Sequence, residues 1–408
     1  MRGCFRGGVQ QPKGVQALVR RTHEERVFST LREHGAQSRG EIARRVGLSR
    51  TTLSEITADL LKRGAIIVVD TDAVARTGSG RPAELLAIDP ASGQFLGIDF
   101  GHARVIIVVA DASHEIIASG TRRYPETSDW QERLADAFSL TEQLAADTGV
   151  HFGALQSVAV GVPGWGDQSH VEVISEALAA RFEAPVIVDN NVRFAALAEA
   201  AQGRPNRVRN LVYVRLSDGV GGGLVVDGRL VHGWARFAGE MGHVTVDPDG
   251  LPCRCGKRGC VETVASVPAI LARCRSRGVA VADLDQLKEA VRISQPVVES
   301  VLREAGAALG RVLGAAAMTL NPREVVIGGE LVRVAPLLLE QVAATVRYEL
   351  SWQSDAAPIV RSARLGDDAG AIGALIALFR ESPLLATYTE NAVDLPGRGS
   401  TAERRSIG

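Results

Sequence analysis

Three cysteines crowd together in the second half of the chain, and their spacing suits metal chemistry. Cys253, Cys255 and Cys260 fall within eight residues, with glycines that let the backbone turn tightly, and His243 stands ten residues before them. Three thiolates and one imidazole suit tetrahedral zinc. Four protein ligands leave no position for water, so we expect a structural zinc ion. The alternative is a tight loop with three reduced cysteines and no metal.

A different polar cluster begins a predicted helix near the N-terminus. Ser49 is placed to cap this helix, whose apolar stripe comprises Leu53, Ile56, Leu60 and Leu61. The first turn of a recognition helix lies against base edges in the major groove, where polar and cationic residues belong. We therefore expect DNA contacts from the residues that start the helix, namely Ser49, Arg50, Thr51, Thr52 and Ser54.

The elements before this helix predict a helix-turn-helix. A helix over 24–34 ends at Gly35, and Ser38 and Glu41 form a capping box that starts a second short helix. Gly47 then makes the turn into the recognition helix.

A wing is predicted after the recognition helix. Strands over 65–69 and 83–88 enclose a hairpin whose tip carries Arg76 and Arg81, residues suited to a minor groove. The segment therefore favours a winged helix-turn-helix bound to double-stranded operator DNA. The alternative is a three-helix domain with a solvated hairpin and no role in DNA binding.

The distribution of charge supports a polyanionic partner for the N-terminal part. Residues 1–88 hold 15 Lys or Arg and 9 Asp or Glu, whereas the remainder holds 31 Lys or Arg and 38 Asp or Glu.

The chain of 408 residues has five cysteines, no apolar run of membrane length and no secretory signal pattern. We expect two or three domains in a soluble, cytoplasmic protein without a membrane partner.

Beyond residue 94 the pattern is that of an α/β protein. Strands over 95–100, 104–110 and 115–123 form a meander, followed by a helix near 129–147 and a strand over 157–161. The second half repeats this order around a glycine loop at 219–223, whose glycines we expect to serve turns. Its predicted elements are strands over 211–216, 223–226 and 325–327 and helices near 297–320 and 369–379. Two such halves predict an actin-like (ribonuclease H-like) fold of two hinged lobes with the ligand in the cleft.

Residues 95–380 resemble the ROK family of repressors, open reading frames and sugar kinases. The N-terminal segment is similar to the winged helix-turn-helix of ROK-type regulators, including their Gly80-Arg81-Pro82 element. The resemblance implies a transcription regulator whose body has the two-lobed sugar-kinase fold. The motifs in the body are Leu96-Gly97-Ile98-Asp99-Phe100-Gly101, Gly161-Val162-Pro163-Gly164, Asp189-Asn190-Asn191, Gly219-Val220-Gly221-Gly222-Gly223, Ala238-Gly239-Glu240-Met241-Gly242-His243, Cys253 to Glu262, and Ala369-Gly370-Ala371-Ile372-Gly373.

The resemblance also implies a sugar site and assigns the cysteine cluster to zinc. In ROK proteins the sugar hydroxyls are held by the acid and histidine of the Glu-x-Gly-His motif, the acid after the last cysteine, and an Asn-Asp pair. Carried over, these positions predict sugar binding by Gly164, Asn190, Asn191, Glu240, His243 and Glu262.

The same comparison implies that phosphoryl transfer is lost. Asn191 stands where ROK kinases have the aspartate that acts as general base, and an amide cannot take a proton. His102 and Ala103 replace residues of the first phosphate loop, and Asp218 places a carboxylate in the second. We expect no catalytic residue, no bound ATP and a sugar or sugar phosphate that acts only as an effector.

Rival interpretations remain at this point. A sugar kinase that also binds DNA would need Asp189 as a substitute base, and a sugar-binding scaffold would bind no promoter DNA. Arg193 either pairs with a phosphorylated sugar or is an ordinary surface residue of a helix.

The interpretation that we favour is a repressor in which the sugar shifts the spacing of two DNA modules in a dimer or a dimer of dimers. Each segment of the chain has a predicted role. The segments are a basic tail at 1–22, the DNA-binding domain at 23–90, the first lobe at 91–200 with 366–382 packed back on it, the second lobe at 201–365 with a zinc loop at 243–262, and a disordered tail at 383–408.

Overall fold

A computed structural model describes residues 15–62, 64–71, 84–152, 155–164, 168–201, 208–352 and 357–381. These residues form a mixed α/β protein with one three-stranded sheet and two five-stranded sheets. None of the helices in the described residues is long and apolar enough to cross a membrane.

The N-terminal module is a winged helix-turn-helix. Its sheet has the order β1-β3-β2, and a small apolar core joins it to the three helices. The capping box of Ser38 and Glu41 is present, and Gly47 ends the second helix in the left-handed conformation. The elements are α1 (Val15–His34), β1 (Gln37–Ser38), α2 (Arg39–Val46), α3 (Arg50–Lys62), β2 (Ile66–Thr71) and β3 (Glu84–Ile88).

Two features of this module differ from the prediction. Helix α1 begins at Val15 rather than near residue 24, because good helix formers such as Gln16, Ala17 and Leu18 continue the helix beyond the face that packs on the core. Strand β1, which pairs with β3, is too short to show a periodic pattern. The wing tip with Arg76 and Arg81 and the tail at 383–408 lie outside the described residues.

The two large sheets share one topology. In the first lobe the order is β6-β5-β4-β7-β8, and in the second it is β11-β10-β9-β12-β13. In both, an antiparallel meander continues into parallel strands, as expected for an actin-like pair of lobes. The strands are β4 (Gln94–Phe100), β5 (Arg104–Asp111), β6 (Ile116–Arg123), β7 (Leu155–Val162), β8 (Val186–Asn190), β9 (Leu211–Leu216), β10 (Val220–Val226), β11 (Arg229–Leu230), β12 (Glu324–Gly328) and β13 (Ile359–Ser362).

Helices cover the outer faces of both sheets and fill the space between them. The first outer core lies under α4 and α5, and the second lies under α8, α9, α10 and α12. The helices of the body are α4 (Trp130–Thr148), α5 (Gln168–Phe182), α6 (Asn191–Ala201), α7 (Glu262–Ala265), α8 (Val267–Ser276), α9 (Leu284–Arg292), α10 (Pro296–Leu320), α11 (Glu330–Val334), α12 (Pro336–Glu349) and α13 (Ala369–Glu381).

Helix α6 is the central element of the body, and every one of its residues is buried. Phe194 and Leu197 pack with the first sheet and α13, whereas Val192 and Ala196 pack with the second sheet. Because α6 is buried against both lobes, the residues at its start are held where the lobes meet.

The glycines at 221 and 222 do not form a loop, contrary to the prediction, and Gly223 lies in a strand, as predicted for residues 223–226. They lie inside β10, where Gly221 and Gly223 face α6 and Gly222 faces the backbone of Gly239. A Cβ at Gly223 would stand 2.6 Å from the Cβ of Ala196, and one at Gly222 would stand 2.3 Å from the Gly239 carbonyl oxygen. These glycines therefore allow close approach of α6 and of the loop that carries Glu240.

Helix α13 returns from the second lobe and packs on α6, β4 and β7 of the first. Near its end, the ring of Phe379 stacks on His114 with 3.6 Å between centroids. His114 belongs to the turn between β5 and β6, and Ala112 in the same turn is buried in the core of the DNA-binding module. Burial, with the charge of Arg32 on α1, holds the pKa of His114 well below its usual value. This turn is thus a direct contact between the body and the DNA-binding module.

Candidate functional site

A cavity of about 1100 Å³ lies between the two lobes. Its walls include Gly164, Asn190 and Asn191 from the first lobe and Glu240 and His243 from the second. Five of the six predicted sugar-binding residues therefore share one cavity. The sixth, Glu262, is buried behind the wall.

Asn191, which the family resemblance assigns to the position of the kinase base, is hydrogen-bonded to a buried carboxylate. Its amide nitrogen donates to Asp99 Oδ1 at 2.9 Å and to the Phe100 carbonyl at 3.2 Å. Both amide hydrogens are used within the protein, so only the Asn191 oxygen can meet a ligand hydroxyl. Burial raises the pKa of Asp99, and the charge of Arg215 and the Asn191 amide offset this only in part.

Asn190 connects two backbone segments of the cavity wall, the start of α6 and the loop at Gly164. Its oxygen accepts from the Val192 N–H at 2.7 Å at the start of α6, and its amide donates to the Gly164 carbonyl at 3.3 Å. Gly164 has a φ of 74°, a conformation that favours glycine. One amide hydrogen of Asn190 remains for a ligand.

Glu240 is oriented by a buried guanidinium. Arg193, which has no exposed surface, lies 3.3 Å from Glu240 Oε1 and 3.2 Å from Asp189 Oδ1. Arg193 also donates to the carbonyl oxygen of Arg236 at 2.5 Å. The proposals that Arg193 is a surface residue or a partner for a sugar phosphate do not fit this geometry, because two carboxylates already surround it inside the protein.

Asp189 is enclosed by His232 and two arginines and does not line the cavity. His232 Nε2 lies 2.5 Å from its Oδ2, and Arg236 lies 3.2 Å from its Oδ1. Burial acts to raise the pKa of Asp189, but the His232 hydrogen bond, the Asn190 N–H and the Arg236 charge together hold it below its usual value. An ionised carboxylate with all these partners is a poor proton acceptor for a sugar hydroxyl.

Glu262 has partners inside the protein as well. Its Oε2 accepts from the Val220 N–H at 3.1 Å and from Arg254 at 2.8 Å. Arg254 stands between two of the cysteines, is exposed and lines the cavity. Arg254 therefore lies at the cavity wall beside Glu262, and sugar binding by Glu262 stays a prediction.

The cysteine cluster forms a compact group that could hold a metal ion. The donor atoms of His243, Cys253, Cys255 and Cys260 all lie within 4.8 Å of one another. The Cys255 and Cys260 sulfurs are 3.6 Å apart, and Cys253 Sγ is 3.5 Å from His243 Nδ1. A tetrahedral zinc ion with bonds of about 2.3 Å has donors about 3.8 Å apart, so the cluster fits such an ion.

The loop around this cluster is shaped by its glycines. Gly256 and Gly259 have φ values of 89° and 63°, and a Cβ at Gly259 would overlap the Asp247 carbonyl. Because Nδ1 of His243 faces the thiols while the residue lines the cavity, its Nε2 is the atom left for a ligand. One imidazole can thus belong to both sites.

The two loops that the family resemblance assigns to phosphate binding line the same cavity. His102 and Ala103 line it beside Arg104, which pairs with Asp367 at 3.2 Å. The hydroxyl of Tyr124 lies 2.7 and 2.8 Å from the carbonyl oxygens of Gly101 and Arg104. The first loop is therefore held by protein contacts, and the second presents the exposed carboxylate of Asp218.

The start of α3 presents a polar face to solvent. Ser49 Oγ accepts from the Thr52 N–H at 3.1 Å, which makes it the predicted cap. Ser49, Arg50, Thr51 and Ser54 are exposed and Thr52 is partly buried, while Leu53 and Ile56 point into the core.

Sequence profiles agree with this architecture. The profile described as the ROK family matches residues 95–381, and a winged helix-turn-helix DNA-binding profile matches residues 20–67. This chain belongs to the ROK family.

Its relatives in the family include both regulators and enzymes. The DNA-binding transcriptional dual regulator NagC of Escherichia coli K12 is 28% identical over 391 residues, which cover 90% of this chain and 94% of that protein. Glucokinase of Halalkalibacterium halodurans is 39% identical over 206 residues, 46% of this chain and 62% of the enzyme. A solved ROK family transcriptional regulator, described as a homologue of the E. coli MLC protein, has the same fold, with a TM-score of 0.71 at 23% identity over 88% of this chain and 95% of that one.

Sequence reasoning missed the residues that surround the acids of the site. His232, Arg236 and Arg254 lie in segments without periodic pattern, and Asp189, the partner of His232 and Arg236, is distant in the chain. The one available signal was the position of Arg254 between two cysteines, which fixes it beside the metal loop.

Proposed function

We propose that this protein is a DNA-binding transcription regulator, of repressor type, whose body binds a sugar or sugar phosphate without phosphorylating it. The observation that carries the proposal is Asn191. By the family resemblance it stands at the position of the kinase general base, in a cavity lined by polar groups that suit a sugar. Its two amide hydrogens are donated to Asp99 and to the Phe100 carbonyl. The similarity to NagC along nearly the whole chain supports the same function.

Sugar recognition rests on acceptors and donors that converge from both lobes. Glu240 and His243 Nε2 would bind hydroxyls from the second lobe, and Asn190, the Asn191 oxygen and the Gly164 backbone would bind them from the first. Glu262 would contribute through Arg254, or directly if the ligand displaces that side chain.

Zinc is the metal that the Cys₃His cluster fits best. Bound by His243, Cys253, Cys255 and Cys260, it would supply only structural cross-linking of the loop that carries the sugar-binding residues. The protein residues then keep His243 oriented with Nε2 toward the cavity.

The sugar signal has a physical route to the DNA-binding module. Leu365 and Asp367 line the cavity just before α13, and α13 ends where Phe379 stacks on His114. Closure of the lobes on a sugar would shift α13, and with it the turn that contacts the module. In a dimer or a dimer of dimers this shift would change the spacing of two recognition helices.

DNA contacts are assigned to the exposed start of α3. Ser49, Arg50, Thr51, Thr52 and Ser54 would face the major groove, and Arg76 and Arg81 of the wing would face a minor groove. Such a regulator would act in the cytoplasm.

The similarity to a glucokinase favours a second candidate, a sugar kinase that also binds DNA. That candidate needs a base, and Asp189 is enclosed by His232, Arg193 and Arg236. The candidate predicts sugar-dependent release of ADP from ATP that is abolished in Asp189→Ala. We expect no ADP release by the unmodified protein.

The test is fluorescence anisotropy with DNA from the protein's own promoter region, across a panel of sugars and sugar 6-phosphates. We expect tight binding that one sugar selectively changes, and a loss of about 1–3 kcal/mol of DNA binding in Arg50→Ala. Arg292→Ala, an exposed arginine of α9, is the matched control and should bind as the unmodified protein does. Failure of every sugar to change DNA binding would contradict the sensor function, and equal DNA binding by Arg50→Ala would contradict the assigned recognition face.

A further inference from the structure

Two exposed aromatic side chains stand on the segment between β11 and the Glu-x-Gly-His motif. Phe237 is 66% exposed and lines the cavity between the lobes. Trp234 is fully exposed, and it is not among the described residues that form the cavity wall. An apolar ring left open to a cavity is a feature that ligand sites use.

The exposure of Phe237 does not come from a loose loop. The Ala238 N–H donates to the His232 carbonyl at 3.2 Å, and Arg236 has a φ of 60°. Buried Arg193 donates to the Arg236 carbonyl, immediately before Phe237. The turn is therefore fastened to the protein interior while its aromatic ring remains open.

One turn presents Phe237 together with the polar groups of the site. The Glu240 N–H donates to the Phe237 carbonyl at 3.2 Å, and the His243 N–H donates to the Glu240 carbonyl at 3.1 Å. The ring, the carboxylate and the imidazole thus belong to one continuous backbone unit, and all three line one cavity. Tyr213, another aromatic residue of the wall, is buried with its hydroxyl against Gly328.

Ring sugars have two kinds of surface that suit this arrangement. Hydroxyls project from the edge of the ring, whereas the faces carry C–H groups that are apolar. Carboxylate, imidazole and amide groups can bind the edge, but removing a face from water requires an apolar, flat partner.

We propose that Phe237 stacks on the C–H face of the sugar and selects a cyclic sugar with an unbroken apolar face. This inference rests on the proposed function and names the ligand class of the same site. Polar groups alone would bind a ring and an open-chain polyol with similar donors and acceptors. Stacking on Phe237 favours the ring.

The experiment is calorimetric titration of the full-length protein with D-glucose, D-xylose, N-acetyl-D-glucosamine, the 6-phosphates of the two hexoses, and the open-chain polyol D-glucitol. For the tightest ring sugar, we expect Phe237→Ala to weaken binding about five- to ten-fold and Phe237→Tyr to stay within about two-fold of the unmodified protein. Phe237→Leu should fall close to Phe237→Ala, because it is apolar but not flat. Trp234→Ala removes the larger and more exposed ring of the same loop, and it should leave affinity unchanged.

Three results would overturn the inference. They are equal affinity in Phe237→Ala and the unmodified protein, an equal loss in Trp234→Ala, or D-glucitol binding as tightly as the best ring sugar. Glu240→Ala separates this inference from the proposed function, because it should abolish binding of any sugar that uses the site. If the unmodified protein bound no sugar or sugar phosphate of the panel, the proposed function would fail and this inference with it.

Discussion

The contact between Asn191 and Asp99 decides what the cavity can do chemically. The family resemblance implies that kinases have an aspartate at the position of Asn191, and here an aspartate would lie about 3 Å from a second buried carboxylate. The amide removes that repulsion and donates a hydrogen bond instead. The cavity can therefore keep its shape without a ligand or cation to separate two charges.

Asn191→Asp should make the stability of the protein strongly dependent on pH. The new carboxyl and Asp99 would share a buried site, so the pKa of the pair would rise above the ordinary carboxyl value. The folded state then binds more protons than the unfolded state, and the free energy of unfolding falls as pH rises from about 4 upward. Urea unfolding at pH 5 and pH 8 measures this.

We expect Asn191→Asp to be less stable than the unmodified protein. This difference in the free energy of unfolding should be about 1–3 kcal/mol larger at pH 8 than at pH 5. Asn191→Ala, which loses the amide hydrogen bond without adding charge, is the control and should show a smaller added dependence, because only the pKa of Asp99 rises further. An equal stability difference at both pH values for Asn191→Asp would contradict the contact with Asp99. We expect no kinase activity in Asn191→Asp, because His102 and Asp218 line the cavity in the loops that the family resemblance assigns to phosphate.

At the scale of elements, α6 and α13 connect the cavity to the contact between Phe379 and His114. Helix α6 packs against both sheets, and α13 lies on it so closely that a Cβ at Gly373 would stand 1.8 Å from the Phe194 carbonyl oxygen. Two helices in such contact cannot slide independently, because each would have to displace backbone. We therefore expect a displacement at Asn191 or Asp99 to reach the end of α13 at Phe379.

His114→Asn should weaken the response to sugar and spare both binding sites. Asn tolerates the positive φ of 75° found at His114, so the turn is retained while the stacking on Phe379 is lost. We expect DNA affinity and sugar affinity, each measured alone, to stay close to those of the unmodified protein. The effect of sugar on DNA affinity should fall by about 1 kcal/mol, as measured by anisotropy titrations with and without sugar.

The matched control for this prediction is His151→Asn, an exposed histidine after α4. It should respond to sugar as the unmodified protein does. A full sugar response in His114→Asn would show that the signal does not pass through the contact between Phe379 and His114.

At the scale of the whole molecule, metal removal should affect the second lobe first. The cysteine cluster joins the Glu240 turn to the loop before α7, so its loss frees the loop that carries the sugar-binding residues. We expect Cys253→Ala to lose bound zinc, to unfold at a lower temperature and to lose sugar affinity. Metal analysis and thermal unfolding measure this.

Cys274→Ala is the control for the zinc prediction, since Cys274 is buried in the core of the second lobe and lies outside the cluster. It should retain zinc. Full metal content in Cys253→Ala would contradict the ligand assignment.

Much of this architecture could be predicted from the sequence, because its signals are local. The capping box at Ser38, the strand pattern over 211–216 and the long helix near 297–320 depend on residues close in the chain, and the structure has all three. The spacing of Cys253, Cys255 and Cys260 likewise placed three metal-binding groups in one loop.

What could not be predicted depends on partners that are distant in the chain. The buried contact of Arg193 depends on Glu240, which lies 47 residues later in the chain. The hydrogen bond from Arg254 to Glu262 depends on the conformation of the loop between these two residues. The place of Gly221 in a strand could not be predicted either, because glycine in a sequence does not distinguish a turn from a close contact with a helix.

The amide at position 191 also determines what kind of information the proposed sensor reports. If the body were a kinase it would consume its sugar, and the signal would then follow the rate at which the sugar is supplied. A body that returns its sugar unchanged reports concentration instead, because occupancy follows the free sugar and falls again when the sugar is diluted. Such a response needs no ATP, is reversible, and has a midpoint set by the dissociation constant of the cavity.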